Sequence, residues 1–276
     1  MSATIPEVAY SVDAGGIATN YHDTGAGPTV VLLHGSGPGV SAWANWRTVI
    51  PLLAKRFRVV APDIVGFGYT ERPSGFAYGI PAWTRHLNNF LDALEIDRAH
   101  LVGNSFGGAL SLWLAAESRR VSRMVLMGSA GLRFDLTYGL DAVWGYQPSV
   151  ENMRTLLGIF AFDQAIATDE LARLRFEASI RPGVQESYEA MFPAPRQRWV
   201  DALALTEERI SALDNDVLIV HGRDDRVVPV ESSIRLNQLI GKSQLHVFGR
   251  CGHWTQIEYT EQFARLTTDF LAEKDD

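Results

Sequence analysis

The chain has 276 residues, 46% of them hydrophobic and 21% charged, which is enough for one well-filled α/β domain with a modest insertion and too apolar for a disordered chain. A formal net charge of -7, with Arg119-Arg120 as the nearest thing to a basic cluster, argues against a nucleic-acid binder, whose affinity rests on grouped Lys and Arg. The single cysteine, Cys251, excludes an intramolecular disulfide and a thiolate metal cage and fits a reducing cytoplasm.

The first residues, MSATIPEVAYSVDAGG, lack a basic stretch followed by an apolar one, and nowhere do 18 apolar residues run together. The chain therefore reads as neither secreted nor membrane-spanning. The first strong element is Thr29–Leu33, a continuous apolar run of the kind buried on both faces of a parallel sheet, ending at His34-Gly35. Trp43, Trp46, Val49, Ile50 and Leu53 recur at helical spacing, and Phe57–Ala61 is a second apolar strand stopped by Pro62. The alternation continues with a helix around Leu87, Phe90, Leu91 and Leu94, a strand at His100–Val102, a helix near Leu110–Ala116 and a strand at Met124–Met127. Such alternation predicts a mostly parallel, doubly wound sheet.

After Gly128 the rhythm changes. Helical periodicities such as Met153, Leu156, Leu157 and Phe160 fill the stretch up to about Leu213, interrupted by Met191-Phe192-Pro193-Ala194-Pro195. Strand and helix alternate again at Val217–Val220, Ile234–Ile240, Leu245–Phe248 and Phe263–Leu271. The expected organisation is a core of residues 1–132 and 214–276 with a helical cap at 133–213, placed where it can cover the ligand-binding edge of the sheet.

Chemistry concentrates at the strand ends. Gly103-Asn104-Ser105-Phe106-Gly107 lies between a strand and a helix, the context of a nucleophile elbow. The two glycines permit a sharp turn that lifts the hydroxyl clear, and the helix start presents N–H groups to developing negative charge. A serine needs a base, and the base needs an acid to fix its tautomer. His221-Gly222-Arg223-Asp224-Asp225-Arg226-Val227-Val228-Pro229 follows one strand, and Gly249-Arg250-Cys251-Gly252-His253-Trp254 follows the next. The order Ser, Asp, His is that of the α/β-hydrolase fold, with His253 as base. Asp224 and Asp225 compete for the acid; spacing from Gly222 and to Val228-Pro229 favours Asp225, and the alternative for either, a turn cap or a partner for Arg223 or Arg226, suits Asp224 better.

The alternative for Ser105 is a plain helix cap, which its position disfavours, whereas His253 taken alone reads as readily as an ordinary loop histidine. Cys251 has no elbow and reads as a small buried residue. The loop His34–Gly39 can turn a backbone N–H toward the serine and, with the N–H of Phe106, form an oxyanion hole. It is no phosphate loop, because G-x-x-x-x-G-K-[ST] does not occur.

Taken together, HGSGPGVSAWANW at 34–46, GNSFGGAL at 103–110, SIRPG at 179–183, MFPAPRQRWV at 191–200, HGRDDRVVP at 221–229 and CGHWTQIE at 251–258 resemble the α/β-hydrolases that cleave carbon–carbon bonds in meta-cleavage products of aromatic catabolism. The resemblance spans essentially the whole chain and looks nearest to the 2-hydroxymuconate semialdehyde hydrolases. It implies hydrolysis of a 2-hydroxy-6-oxohexa-2,4-dienoate to 2-hydroxypenta-2,4-dienoate and a carboxylic acid, without metal or organic cofactor. It further implies Ser105, Asp225 and His253 as the catalytic residues and the N–H groups of Ser36 and Phe106 as the oxyanion hole. Asn45, Asn104, Arg175 and Trp254 match positions that contact the dienoate carboxylate and 2-oxo group. A small-molecule substrate, no nucleic acid, no membrane and a homo-oligomer, dimer or tetramer, complete that expectation.

For Arg175 physical chemistry points the same way, since an acidic protein that binds an acidic substrate needs a local cation and a guanidinium suits a carboxylate bidentately. Its alternative is an ion pair on a helix surface with Glu170 or Glu177. Trp254 can equally be a packed aromatic, and Asn45 and Asn104 local hydrogen-bonders. Competing readings of the chain are a carboxylesterase, which needs the same triad, and a non-catalytic sensor that retains it. A dehalogenase or epoxide hydrolase would carry Asp at position 105.

Overall fold

The computed structural model describes residues 5–273; residues 1–4 and 274–276, the outermost parts of the expected core, lie outside the described residues. The apolar runs become the central strands of an eight-stranded sheet. In chain order its strands are β1 (Tyr10–Asp13), β2 (Ala18–Thr24), β3 (Thr29–Leu33), β4 (Arg58–Pro62), β5 (Ala99–Asn104), β6 (Val121–Met127), β7 (Val217–Gly222) and β8 (Ser243–Phe248). Their order across the sheet is β1-β2-β4-β3-β5-β6-β7-β8, with the β1–β2 and β2–β4 pairings antiparallel and all others parallel.

Alternation along the strands sorts the core into two layers. Val31 and Leu33 of β3 face one apolar cluster, whereas Val30 and Leu32 face the other. The first layer packs on α3 (Ile80–Ala93) and α4 (Phe106–Glu117); the second packs on the short helices α1 (Ala42–Trp46) and α2 (Ile50–Leu53) and on the C-terminal helix. Helix α4 is buried along most of its length, which follows from its nearly all-apolar sequence FGGALSLWLAAE.

Two expectations change. The periodicity over 43–53 is carried by two helices, because Pro51 has no N–H to donate back to the preceding turn, so a new helix starts there. The antiparallel strands β1 and β2 were not anticipated; β1 is largely exposed and β2, ATNYHDT, has no apolar run.

Between β6 and β7 the chain forms α5 (Tyr138–Trp144), α6 (Val150–Phe160), α7 (Asp169–Ser179), α8 (Val184–Met191), α9 (Gln197–Leu203) and α10 (Glu207–Ser211). The N-caps of α5, α6, α7 and α10 are Thr137, Ser149, Thr168 and Thr206, each accepting from an amide three residues on, which explains where these helices begin. This helical stretch touches the tips of the sheet at defined points. Trp144 Nε1 donates to Ser36 Oγ at 3.0 Å, Tyr188 Oη to Ser36 O at 3.0 Å, and His253 N to Phe160 O at 2.7 Å. After β7 come α11 (Val230–Leu239), β8, α12 (Thr255–Glu258) and α13 (Thr260–Leu271). Phe263, Phe270 and Leu271 anchor α13 to the second layer, each large side chain contributing about 2 kcal/mol by its burial.

Candidate active site

Ser105 sits between β5 and α4 with φ 53° and ψ -111°, a backbone conformation that costs a residue bearing a Cβ on the order of 1–3 kcal/mol. Four hydrogen bonds hold it there. Ser105 N donates to Met127 O at 2.9 Å, and Ser105 O accepts from Gly108 N, Ala109 N and Ala130 N at 3.0, 3.2 and 3.1 Å. The flanking glycines answer a steric need: a Cβ on Gly103 would strike Gly107 O, and one on Gly107 would strike Leu33 O. Because β3 and β5 are parallel neighbours, the loop after Leu33 lies beside the elbow.

Of the two aspartates, Asp225 faces His253. Its Oδ2 accepts from His253 Nδ1 at 2.7 Å, and its Oδ1 accepts from Val227 N and Val228 N at 2.7 and 3.1 Å. Asp224 points elsewhere, accepting from Arg223 Nη2 at 3.1 Å and Arg250 N at 2.9 Å. Burial alone would raise the Asp225 pKa, but the His253 charge and the hydrogen bonds from His221 and His253 outweigh it and hold the carboxyl well below the usual range. With Nδ1 donating, Nε2 of His253 is the ring nitrogen left to accept a proton. Neither that nitrogen nor the Ser105 hydroxyl makes a hydrogen bond within the described residues, and such contacts tighten when substrate binds.

One cavity collects Ser105 and His253 with Ser36, Asn45, Asn104, Arg175 and Trp254. Phe106 presents only its backbone; its ring is buried against Phe67 and Trp83. No hydrogen bond from Ser36 N or Phe106 N joins another group among the described residues, so both amides remain available as donors. Asn45 Oδ1 accepts from Gly35 N at 3.2 Å and its buried Nδ2 has no partner. Asn104 Nδ2 donates weakly to Met127 O at 3.4 Å. Trp254 stacks on Phe160 at 4.8 Å while lining the cavity.

Arg175 is not on a helix surface and pairs with neither Glu170 nor Glu177. It is buried, donating from Nη2 to Gly39 O at 2.5 Å and from Nη1 to Glu7 Oε1 at 3.4 Å. Burial lowers its pKa, Glu7 opposes that, and Arg47 and Arg181 add like charge. Sequence reasoning overlooked Arg47 and Gln256, which line the same cavity, and His221, which touches Asp225. Gln256 Oε1 is buried without a partner. The spacing of Gln256 two residues after Trp254 was available as a signal; the roles of Glu7 and His221 depend on folding and had none.

Cys251 behaves as a small core residue, with burial pushing its thiol up to about 12. Among the described residues no group of three His, Cys, Asp or Glu side chains could hold a metal, and no helix is long and apolar enough to cross a membrane.

Comparison with known proteins places the chain by fold and family. A family profile of the alpha/beta hydrolase fold matches residues 28–260. The chain is 62% identical over 270 residues to a 2-hydroxy-6-oxo-2,4-heptadienoate hydrolase of Pseudomonas putida, covering 98% of each. It is 58% identical over 271 residues to a 2-hydroxymuconate semialdehyde hydrolase of a Pseudomonas species, covering 98% of this chain and 96% of the relative. Among solved structures, the meta-cleavage product hydrolase CumD from Pseudomonas fluorescens superposes with a TM-score of 0.95 at 61% identity, over 96% of this chain and 98% of that one.

Proposed function

We propose the reaction from this premise: the chain belongs to the α/β-hydrolases, among the meta-cleavage product hydrolases of aromatic catabolism. It is a serine-dependent hydrolase of a carbon–carbon bond in 2-hydroxy-6-oxohexa-2,4-dienoates, 2-hydroxymuconate semialdehyde or its 6-alkyl analogues. Water is added across the C5–C6 bond, giving 2-hydroxypenta-2,4-dienoate and the carboxylic acid from C6.

In this reading the substrate carboxylate lies at Arg175, whose guanidinium still has donors to offer, with Asn45, Asn104 and Trp254 around the 2-oxo group. Ketonisation of the dienol moves a proton to C5 and makes C5 a competent leaving carbon. Ser105 Oγ then attacks the C6 carbonyl as His253 Nε2 takes the hydroxyl proton. The oxyanion is met by Ser36 N and Phe106 N, each such donor typically worth about 3–4 kcal/mol. As the C5–C6 bond breaks, its electron pair forms the C4=C5 double bond and is carried through C3 to the 2-oxygen, which takes the proton from His253 to give the 2-hydroxydienoate; water then releases the acid from Ser105. Asp225 fixes the His253 tautomer throughout.

The observation that carries this reading is the joint presence, around one cavity, of a strained serine, a histidine oriented by a buried carboxylate and a buried arginine. We further place the enzyme in the cytoplasm, in keeping with a free buried thiol. The test follows the loss of dienolate absorbance with 2-hydroxymuconate semialdehyde and its 6-methyl and 6-phenyl analogues, beside p-nitrophenyl esters. Turnover of the first two is expected; fast ester cleavage with no dienolate loss overturns the proposal in favour of a carboxylesterase.

A further inference from the structure

His221, the penultimate residue of β7, is fully buried and has every ring nitrogen committed. Its Nε2 lies 3.0 Å from Val228 O and 3.2 Å from Asp225 Oδ2, and its Nδ1 lies 2.6 Å from Ser233 Oγ on α11. A carbonyl oxygen only accepts, so Nε2 carries the proton and shares it between Val228 O and Asp225 Oδ2. Nδ1 of the neutral ring must then accept from the Ser233 hydroxyl. The tautomer is thus set from both sides, and Asp225 Oδ2 receives one hydrogen bond from His253 and a second from His221.

We infer that His221, locked by Ser233, is a positioning residue for the Asp225–His253 pair: it fixes the Oδ2 lone pair that holds His253 and disperses the carboxylate charge. This rests on the triad reading above. Two features favour this over simple packing. The ring donates to the same oxygen that orients the base, whereas Oδ1 is already satisfied by Val227 N and Val228 N. The opposite side is closed by Gly128, where a Cβ would come within 3.1 Å of His253 Nδ1 and 3.3 Å of Asp225 Oδ2, so no group from β6 can replace the donor. The titratable neighbours of the ring are Asp225 and, beyond it, His253 and the Cys251 thiol; α11 offers Ser233, a neutral group.

Removing the donor concentrates charge on Oδ2 and makes Asp225 grip the protonated base more tightly. His221→Leu is therefore expected to lower kcat about 10- to 100-fold with KM within threefold, and to move the acid limb of the kcat/KM profile to higher pH by at least half a unit. His221→Gln, whose amide can donate from a similar position, recovers much of the rate. Asp225→Asn serves as the reference and is expected to lose on the order of 10³ or more. If Asp225→Asn loses that much while folded His221→Leu keeps both rate and profile, the inference is overturned and the triad stands. If Asp225→Asn is itself harmless, the triad reading fails instead. Should His221→Leu not fold, Ser233→Ala decides: a few-fold fall in kcat and a limb shift of the same sign support the role, and an unchanged profile overturns it.

Discussion

Asp225 and Arg175 are opposite charges buried beside one cavity, with side chains 0% and 11% exposed, yet they are left in very different states. Asp225 accepts from four donors, Val227 N, Val228 N, His253 and His221, so its lone pairs are occupied before any ligand arrives. Arg175 spends two hydrogen bonds, one of them a long contact to Glu7, and is crowded by Arg47 and Arg181. Burying a charge costs several kcal/mol unless it is well paired. The anion therefore belongs to a finished device built by strand ends, whereas the cation, carried by the helical stretch between β6 and β7, is left with donors to spare, as the proposed carboxylate-binding role requires.

The largest effects should fall on the finished device. Ser105→Ala and Asp225→Asn are expected to lower kcat by on the order of 10³ or more with KM changed only a few-fold. Asp224→Asn, one residue away, should stay within twofold, because it serves only Arg223 and Arg250. Steady-state kinetics on the three proteins make the comparison; equal losses in the two aspartate variants would remove the distinction between them.

Next in size is the loss of the cation. Arg175→Ala is expected to lower kcat/KM on the dienoate about 100-fold, mostly through KM, with Arg175→Lys intermediate because an ammonium cannot form the planar fork. Unfolding midpoints measured alongside should change little, since the variant also relieves a poorly paired buried charge. A large fall in stability with unchanged KM would make Arg175 a structural residue rather than a binding group.

Gly128→Ala tests how full the Asp225 unit is. The residue has φ 49°, and its added methyl would press on His253 Nδ1 and Asp225 Oδ2. About a tenfold fall in kcat with KM preserved is expected; an unaffected rate would mean that the pair has room to shift.

What could be read in advance divides along the same line. Ser105 was legible because the elbow needs glycines at fixed offsets between a strand and a helix, and those constraints are local. Asp225 and His253 were legible because each follows an apolar strand; only Gly–Asp spacing separated Asp225 from Asp224, which in the structure turns outward. Arg175 was visible as a resemblance, but its burial and its contact with Glu7, 168 residues away, were not. The same holds for His221, which looks like any strand residue until α11 brings Ser233 to it. Strands β1 and β2 escaped notice because antiparallel edge strands carry no continuous apolar run.

Glu7 gives the smallest and most discriminating prediction. It is the resident counter-charge of Arg175 at 3.4 Å, and its other oxygen, Oε2, is buried without a hydrogen bond. If the cation is kept for substrate, Glu7 competes with the substrate carboxylate for it. Glu7→Gln retains the shape and removes the competing charge, so KM for the dienoate should fall two- to fivefold while kcat holds. A neutral p-nitrophenyl ester should show no such change, because it brings no carboxylate to Arg175. A rise in KM for the dienoate would instead mean that Glu7 orients the guanidinium, making Arg175 a finished pair after all and erasing the contrast with Asp225.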